Sequence, residues 1–166
     1  MDCRRQTGLG PAVAGGVVLA LASLSAQDWP QWRGPGRDGA VVAFREPATW
    51  PAALTRRWQV DAGSGYATPL VVGDRVYVFS RQGDDEVLTA FEAGGAKQVW
   101  RTAHPARFTM NPATRAHGPG PKSTPTFAAN RIFTLGMTGI VSAFDATTGR
   151  TLWRSDPPAV EQEYHT

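Results

Sequence analysis

The sequence predicts an all-β protein built of β-propeller blades, each of four antiparallel strands, in a partial propeller of about two blades plus one strand. Three observations carry this. First, one segment is written twice: Gly65 to Ser80 leads to Val99-Trp100-Arg101, and Lys122 to Leu135 leads to Leu152-Trp153-Arg154. Thr68-Pro69 recurs as Thr124-Pro125 and Arg75 as Arg131 at a spacing of 56 residues, while Phe91 recurs as Phe144 and Trp100 as Trp153 at 53. The second copy is therefore three residues shorter in one turn, and a further landmark, Arg57-Trp58, precedes Trp100 by 42. Self-similarity at roughly 40 to 50 residues, in short β-rich pieces, is what propeller blades produce. Second, 6 tryptophans, 18 glycines and 13 prolines in 166 residues suit a turn-rich β protein. Third, no helical periodicity survives outside the N-terminus.

The elements follow in order. Residues 1–26 read as an export signal: Arg4 and Arg5 give the positive start, Pro11 to Leu24 the apolar stretch, and Ser23-Leu-Ser-Ala26 small residues for cleavage before Gln27. A membrane anchor is the rival reading, but a span needs about 20 apolar residues and this run is shorter. The only cysteine, Cys3, lies in that segment, so the mature chain would have neither disulfide nor thiolate chemistry. The protein is expected in the periplasm or secreted.

Residues 27–57 form an irregular lead-in rich in Trp, Gly and Pro, and Trp29, Trp32 and Trp50 are expected to pack onto the blades. Residues 58–166 are the repeat region. Leu54 to Val60 reads as the outer strand of a blade, and the complete units run over about 65–101 and 122–154. In the first, turns fall at Gly73-Asp74, Gln82 to Glu86 and Gly94-Gly95; in the second, at Ala129-Asn130, Met137-Thr-Gly139 and Thr148-Gly149. Thr102 to Pro121 is an excursion longer than an ordinary inter-strand turn, and functional surfaces favour such loops. Closed propellers use about four to eight blades. The expectation is that the remaining blades come from the same longer chain, or else from other subunits.

Ala143-Phe-Asp-Ala-Thr-Thr-Gly-Arg-Thr-Leu-Trp153 fits the pattern A-x-D-x-x-T-G-K-x-x-W, with Arg150 in the Lys place. This resembles the tryptophan-docking motif of the pyrroloquinoline-quinone (PQQ) repeat family, which includes quinone-dependent alcohol dehydrogenases and non-enzymatic assembly propellers of the BamB type. The first unit carries a degraded copy that keeps Ala90, Lys97 and Trp100, has Glu92 for Asp, and lacks the Thr-Gly pair. The resemblance covers about residues 58–154, and Trp29-Pro-Gln-Trp-Arg-Gly-Pro also looks like the start of secreted members. It implies blade-docking roles for Ala143, Asp145, Thr148, Gly149, Trp153, Ala90, Trp100 and Trp58. The chemistry is consistent with this: an Asp145 carboxylate can cap the turn, Gly149 can take a positive φ, and the Trp153 ring can wedge against a neighbouring blade over a small Ala143.

No catalytic, cofactor-binding or metal residue is assigned. Seventeen Lys/Arg against 14 Asp/Glu give a net charge of +3, scattered without a basic stripe, so no nucleic-acid partner is expected. Asp84-Asp85-Glu86 reads as a hairpin tip whose acids splay apart rather than as a calcium cluster. His104, His117 and His165 lack paired metal spacing and read as surface loop residues. A small polar site of His104, His117, Asn111 and Arg115 is the sharper alternative, as is an anionic ligand between Arg115 and Lys122. Gly63-Ser-Gly65 and Gly118-Pro-Gly120 are not phosphate loops, and Ser64 lacks a nucleophile frame. The function expected is a non-catalytic scaffold that binds another envelope protein. The alternative implied by the resemblance is a periplasmic dehydrogenase using PQQ with calcium on an alcohol or sugar.

Overall fold

A computed structural model describes residues 27–42, 44–107 and 109–157; the 1–26 segment and His165 lie outside the described residues. Its strands form two four-stranded antiparallel meanders with neighbours in sequence order. The first blade contains β1 (Leu70–Val72), β2 (Arg75–Gln82), β3 (Asp85–Glu92) and β4 (Gln98–Pro105). The second contains β5 (Thr126–Ala128), β6 (Arg131–Leu135), β7 (Val141–Asp145) and β8 (Thr151–Ser155). This is the all-β, partial-propeller architecture the repeat predicted. Leu54 to Val60, expected to be a strand, is not one: the segment is irregular and finds no ladder partner.

The repeat is reproduced at the level of backbone geometry. Both blades carry a register shift at the same place, between Ala90 and Phe91 in the first and between Ala143 and Phe144 in the second. Each shift precedes a turn closed by matching bonds. Ala96 N–H donates to Glu92 O at 2.9 Å in one, and Gly149 N–H to Asp145 O at 2.8 Å in the other. Both turn residues have positive φ, 57° at Ala96 and 74° at Gly149, so the first blade holds a side chain in a conformation that favours glycine.

The apolar core sits at the junction of the sheets rather than within either. Leu70, Tyr77, Phe79, Leu88 and Ala90 of the first blade meet Ile132, Phe144 and Ala146 of the second. Alternation explains it: Tyr77 and Phe79 share one face of β2, Leu88 and Ala90 one face of β3. Burial pushes the Tyr77 phenol pKa up, so its neutral form belongs to the folded state.

The lead-in stitches across both blades. Trp29 exchanges backbone hydrogen bonds with Val71 (2.6 and 3.2 Å), and Phe127 N–H donates to Pro30 O at 2.7 Å. Gly34 lies against the Trp29 ring, where a Cβ would come within 2.8 Å of it. The expectation that all three lead-in tryptophans pack is corrected, since Trp32 stays 58% and Trp50 55% exposed. Trp32 lies beneath the Arg33 guanidinium, and Trp50 stacks on Phe44 while its indole N–H donates to Glu46. These small local partners occupy the rings without drawing them into the core.

Candidate functional site

The antiparallel meander places the Gly73-Asp74 and Gly94–Ala96 turns at one end of the first blade. The Gly83-Asp84 hairpin lies at the other end, where the chain also leaves β4 for the excursion. Two arrangements of polar groups define the contact between the blades, one near each end.

At the first end, tryptophans reach across units. Trp100 Nε1–H donates to Ala146 O at 3.1 Å, Thr102 Oγ1–H donates to Gly149 O at 2.6 Å, and the Trp100 ring covers Gly149 so closely that a Cβ would come within 2.5 Å of it. Trp58 Nε1–H makes the corresponding bond to Ala93 O at 2.8 Å, and Ala93 stands 53 residues before Ala146. Each indole thus meets the same carbonyl of the unit that follows it. Ala90 and Ala143 are fully buried opposite Trp100 and Trp153 respectively. Trp153 tilts against Phe133 and leaves 47% of its surface exposed.

Asp145 organises the turn that receives Trp100. Its Oδ1 accepts from the Thr148 hydroxyl and amide, each at 2.8 Å, and from Thr147 N–H at 3.1 Å. These bonds, the Thr148 hydroxyl foremost, hold the Asp145 carboxyl below the usual carboxylate range. A folded pKa depressed in this way stabilises the fold above pH ~4. That contribution is lost as pH falls through the lowered folded value. Asp145→Asn is therefore expected to flatten the acid limb of stability below about pH 4. Denaturant midpoints across a pH series would show this; an unchanged acid limb would contradict it.

At the other end lies a buried charged ladder. Arg81, Glu86 and His104 are direct cross-strand neighbours on β2, β3 and β4, all inaccessible to solvent or nearly so. Arg81 donates through Nε to Pro119 O (2.7 Å) and through NH2 to Ala106 O (2.8 Å), and lies 3.8 Å from Glu86 Oε1. Glu86 Oε1 accepts Met137 N–H of the second blade at 2.6 Å, and Glu86 Oε2 stands 3.5 Å from His104 Nε2. Gly136 has no side chain because a Cβ there would collide with Glu86 Oε2. One carboxylate thus compensates Arg81 and fastens the second blade's β6–β7 turn. Arg81 in turn grips both ends of the excursion.

This corrects two sequence expectations. Glu86 is not part of a splayed tip: the turn is only Gly83-Asp84, Asp84 pairs with the exposed Arg107, and Glu86 points between the blades. His104 is a buried strand residue, whereas His117 is exposed on the 3-10 helix Pro112–His117, so the two do not share a polar site. Arg115 is exposed on that helix, and Lys122 lies beyond it at the edge of a cavity. Position parity was the missed signal, because Arg81 continues the buried Tyr77–Phe79 face of β2 and Glu86 the Leu88–Ala90 face of β3. Among the described residues no three His, Asp, Glu or Cys side chains gather where they could hold a metal ion. Nor is any described helix long and apolar enough to cross a membrane.

No curated protein sequence matches the chain. Among solved structures, it is similar to BamB from Moraxella catarrhalis at 24% identity and a TM-score of 0.44, over 60% of this chain and 26% of that one. It is similar to a europium-containing methanol dehydrogenase at 23% identity and 0.40, over 56% and 16%. A quinohemoprotein alcohol dehydrogenase, ADHIIG from Pseudomonas putida HK5, aligns at 21% identity and 0.39, over 58% and 14%. The chain thus spans about a quarter or less of each of these structures. The family described as outer membrane protein assembly factor BamB matches residues 5–163, nearly the whole sequence, and the chain belongs to this family of PQQ-like β-propeller repeats.

Proposed function

We propose that these blades belong to a larger exported propeller of the cell envelope that acts as a non-catalytic scaffold and binds another envelope protein. In this reading residues 1–26 are a signal peptide, 27–57 a lead-in and 58–166 the blades. Trp58, Trp100 and Trp153 form a docking series with Ala90, Ala143, Asp145, Thr148 and Gly149 as their seats. The observation that carries it is the Arg81 clasp. By holding Ala106 and Pro119 together it presents the intervening loop from a rigid base, and a preordered loop binds a partner at low entropic cost. Membership of the family described as outer membrane protein assembly factor BamB points the same way.

Site-specific photo-crosslinking in the intact envelope tests this. A crosslinker at Ala116, exposed on the 3-10 helix, is expected to trap one discrete envelope protein. A crosslinker at Lys97, exposed at the opposite end of the blade, is expected to trap none. Equal labelling from both positions, or PQQ uptake by the full-length protein in the presence of calcium, would overturn the scaffold reading.

A further inference from the structure

The excursion and the β6–β7 turn line an open cavity of about 290 Å³. Such a volume stands at the lower end of the range for small-molecule sites, about 300 Å³ and upward. Met110, Met137 and Leu135 give it apolar walls, and the unbranched thioethers adapt readily to a ligand's shape. Its polar groups are biased toward donors. Asn111 spends its Oδ1 accepting Ala113 N–H at 2.9 Å, which leaves its amide nitrogen without a described acceptor. The Thr114 hydroxyl donates to Asn111 O at 3.0 Å. Lys122 makes no described ion pair or hydrogen bond, and among the described residues no acidic side chain lines the cavity. Both walls are fixed in advance: Glu86 holds Met137 N–H, Gly136 N–H donates to Ile140 O at 2.8 Å, and Gly118 N–H closes the 3-10 helix on Arg115 O at 3.1 Å.

We propose that this cavity binds a small amphiphilic carboxylate, with its apolar body against Met110, Met137 and Leu135 and its carboxylate toward Lys122 and the Asn111 amide. An apolar group alone would leave those donors unused. A cation would meet Lys122 without compensation. The carboxylate supplies the acceptors the cavity lacks. The inference is independent of any protein partner.

The test uses the full-length protein with ¹³C-labelled methionine methyls, the Met110 and Met137 resonances being assigned through Met110→Leu and Met137→Leu. Titration with 3-phenylpropionate is expected to shift both resonances saturably. The neutral 3-phenylpropanamide should bind more weakly, and 3-phenylpropylamine not at all. Lys122→Gln should weaken the acid about threefold, the size of an exposed ion pair, and leave the amide unchanged, while Lys122→Arg restores the acid. Absence of any shift overturns the site. Equal binding of acid and amide, or an acid titration indifferent to Lys122→Gln, overturns the assigned ligand chemistry. Crosslinking from Ala116 can succeed or fail without altering these outcomes.

Discussion

Glu86→Ala is expected to destabilise the blades by about 3–5 kcal/mol, the scale for breaking a buried ion pair by removing one member. The substitution withdraws the carboxylate 3.8 Å from Arg81, which is almost wholly buried, and removes the acceptor of Met137 N–H at the same time. Glu86→Gln separates these effects, since it keeps an acceptor for Met137 but withdraws the charge facing Arg81. Exchanging both partners for apolar residues, Arg81→Met with Glu86→Leu, should cost much less than the two single losses combined, because no orphaned charge remains. The Ala106 and Pro119 carbonyls would still lose their donor, so recovery is expected to be incomplete. Denaturant midpoints for the wild type, Arg81→Met, Glu86→Leu and the double variant decide the matter. Strictly additive losses would mean that Arg81 and Glu86 act separately, and that the ladder is not a unit.

Trp100→Ala is the second large effect, expected at about 3 kcal/mol, the low end for deleting a large aromatic because the ring is only half-buried. It empties the space over Gly149, removes the packing against Tyr77, whose ring centroid lies 5.8 Å away, and takes the indole donor from Ala146 O. Trp100→Phe retains an aromatic ring and loses the N–H, and should cost only about 1 kcal/mol from the bond itself. The remaining effect would then belong to packing. Hydrogen exchange gives a sharper readout than a single midpoint, since the amides of β6 and β7 should lose protection along with those of β3 and β4 if the indole joins the blades. Loss confined to the first blade would show that Trp100 stabilises only its own sheet.

Much of this architecture was written into the chain, because blade strands are short, alternate in polarity and end at Gly, Asp or Asn. The paired turns at Gly73-Asp74 and Ala129-Asn130 delimit β1–β2 and β5–β6 as expected, and the 53-residue spacing of Trp100 and Trp153 recurs as matching register shifts. Leu54 to Val60 misled because a strand pattern specifies a willingness to pair and not the presence of a partner. The charged ladder was hidden for a different reason. Asp84, Asp85 and Glu86 look alike as a run of acids, yet Asp84 belongs to the turn while Asp85 and Glu86 open β3 on opposite faces, so only Glu86 is buried. His104 became legible only through its cross-strand neighbour, which sequence separation conceals. The lead-in tryptophans show that a large ring can be occupied by one cation or one stacked neighbour at the surface.

The grip of Arg81 on the Ala106 and Pro119 carbonyls has a consequence for how such a protein can diversify. Arg81 joins the two ends of the excursion, and Ala106 N–H on Asp84 O at 3.0 Å ties the first of them to the blade as well, so the spacing of the ends does not depend on the sequence between them. Closure entropy grows only logarithmically, by about 0.6 kcal/mol for each doubling of length. A longer or wholly different sequence can therefore be exchanged there at small cost, provided the arginine, its carboxylate and the bare Gly136 stay. The blade is in this sense a socket, and the loop a replaceable fitting.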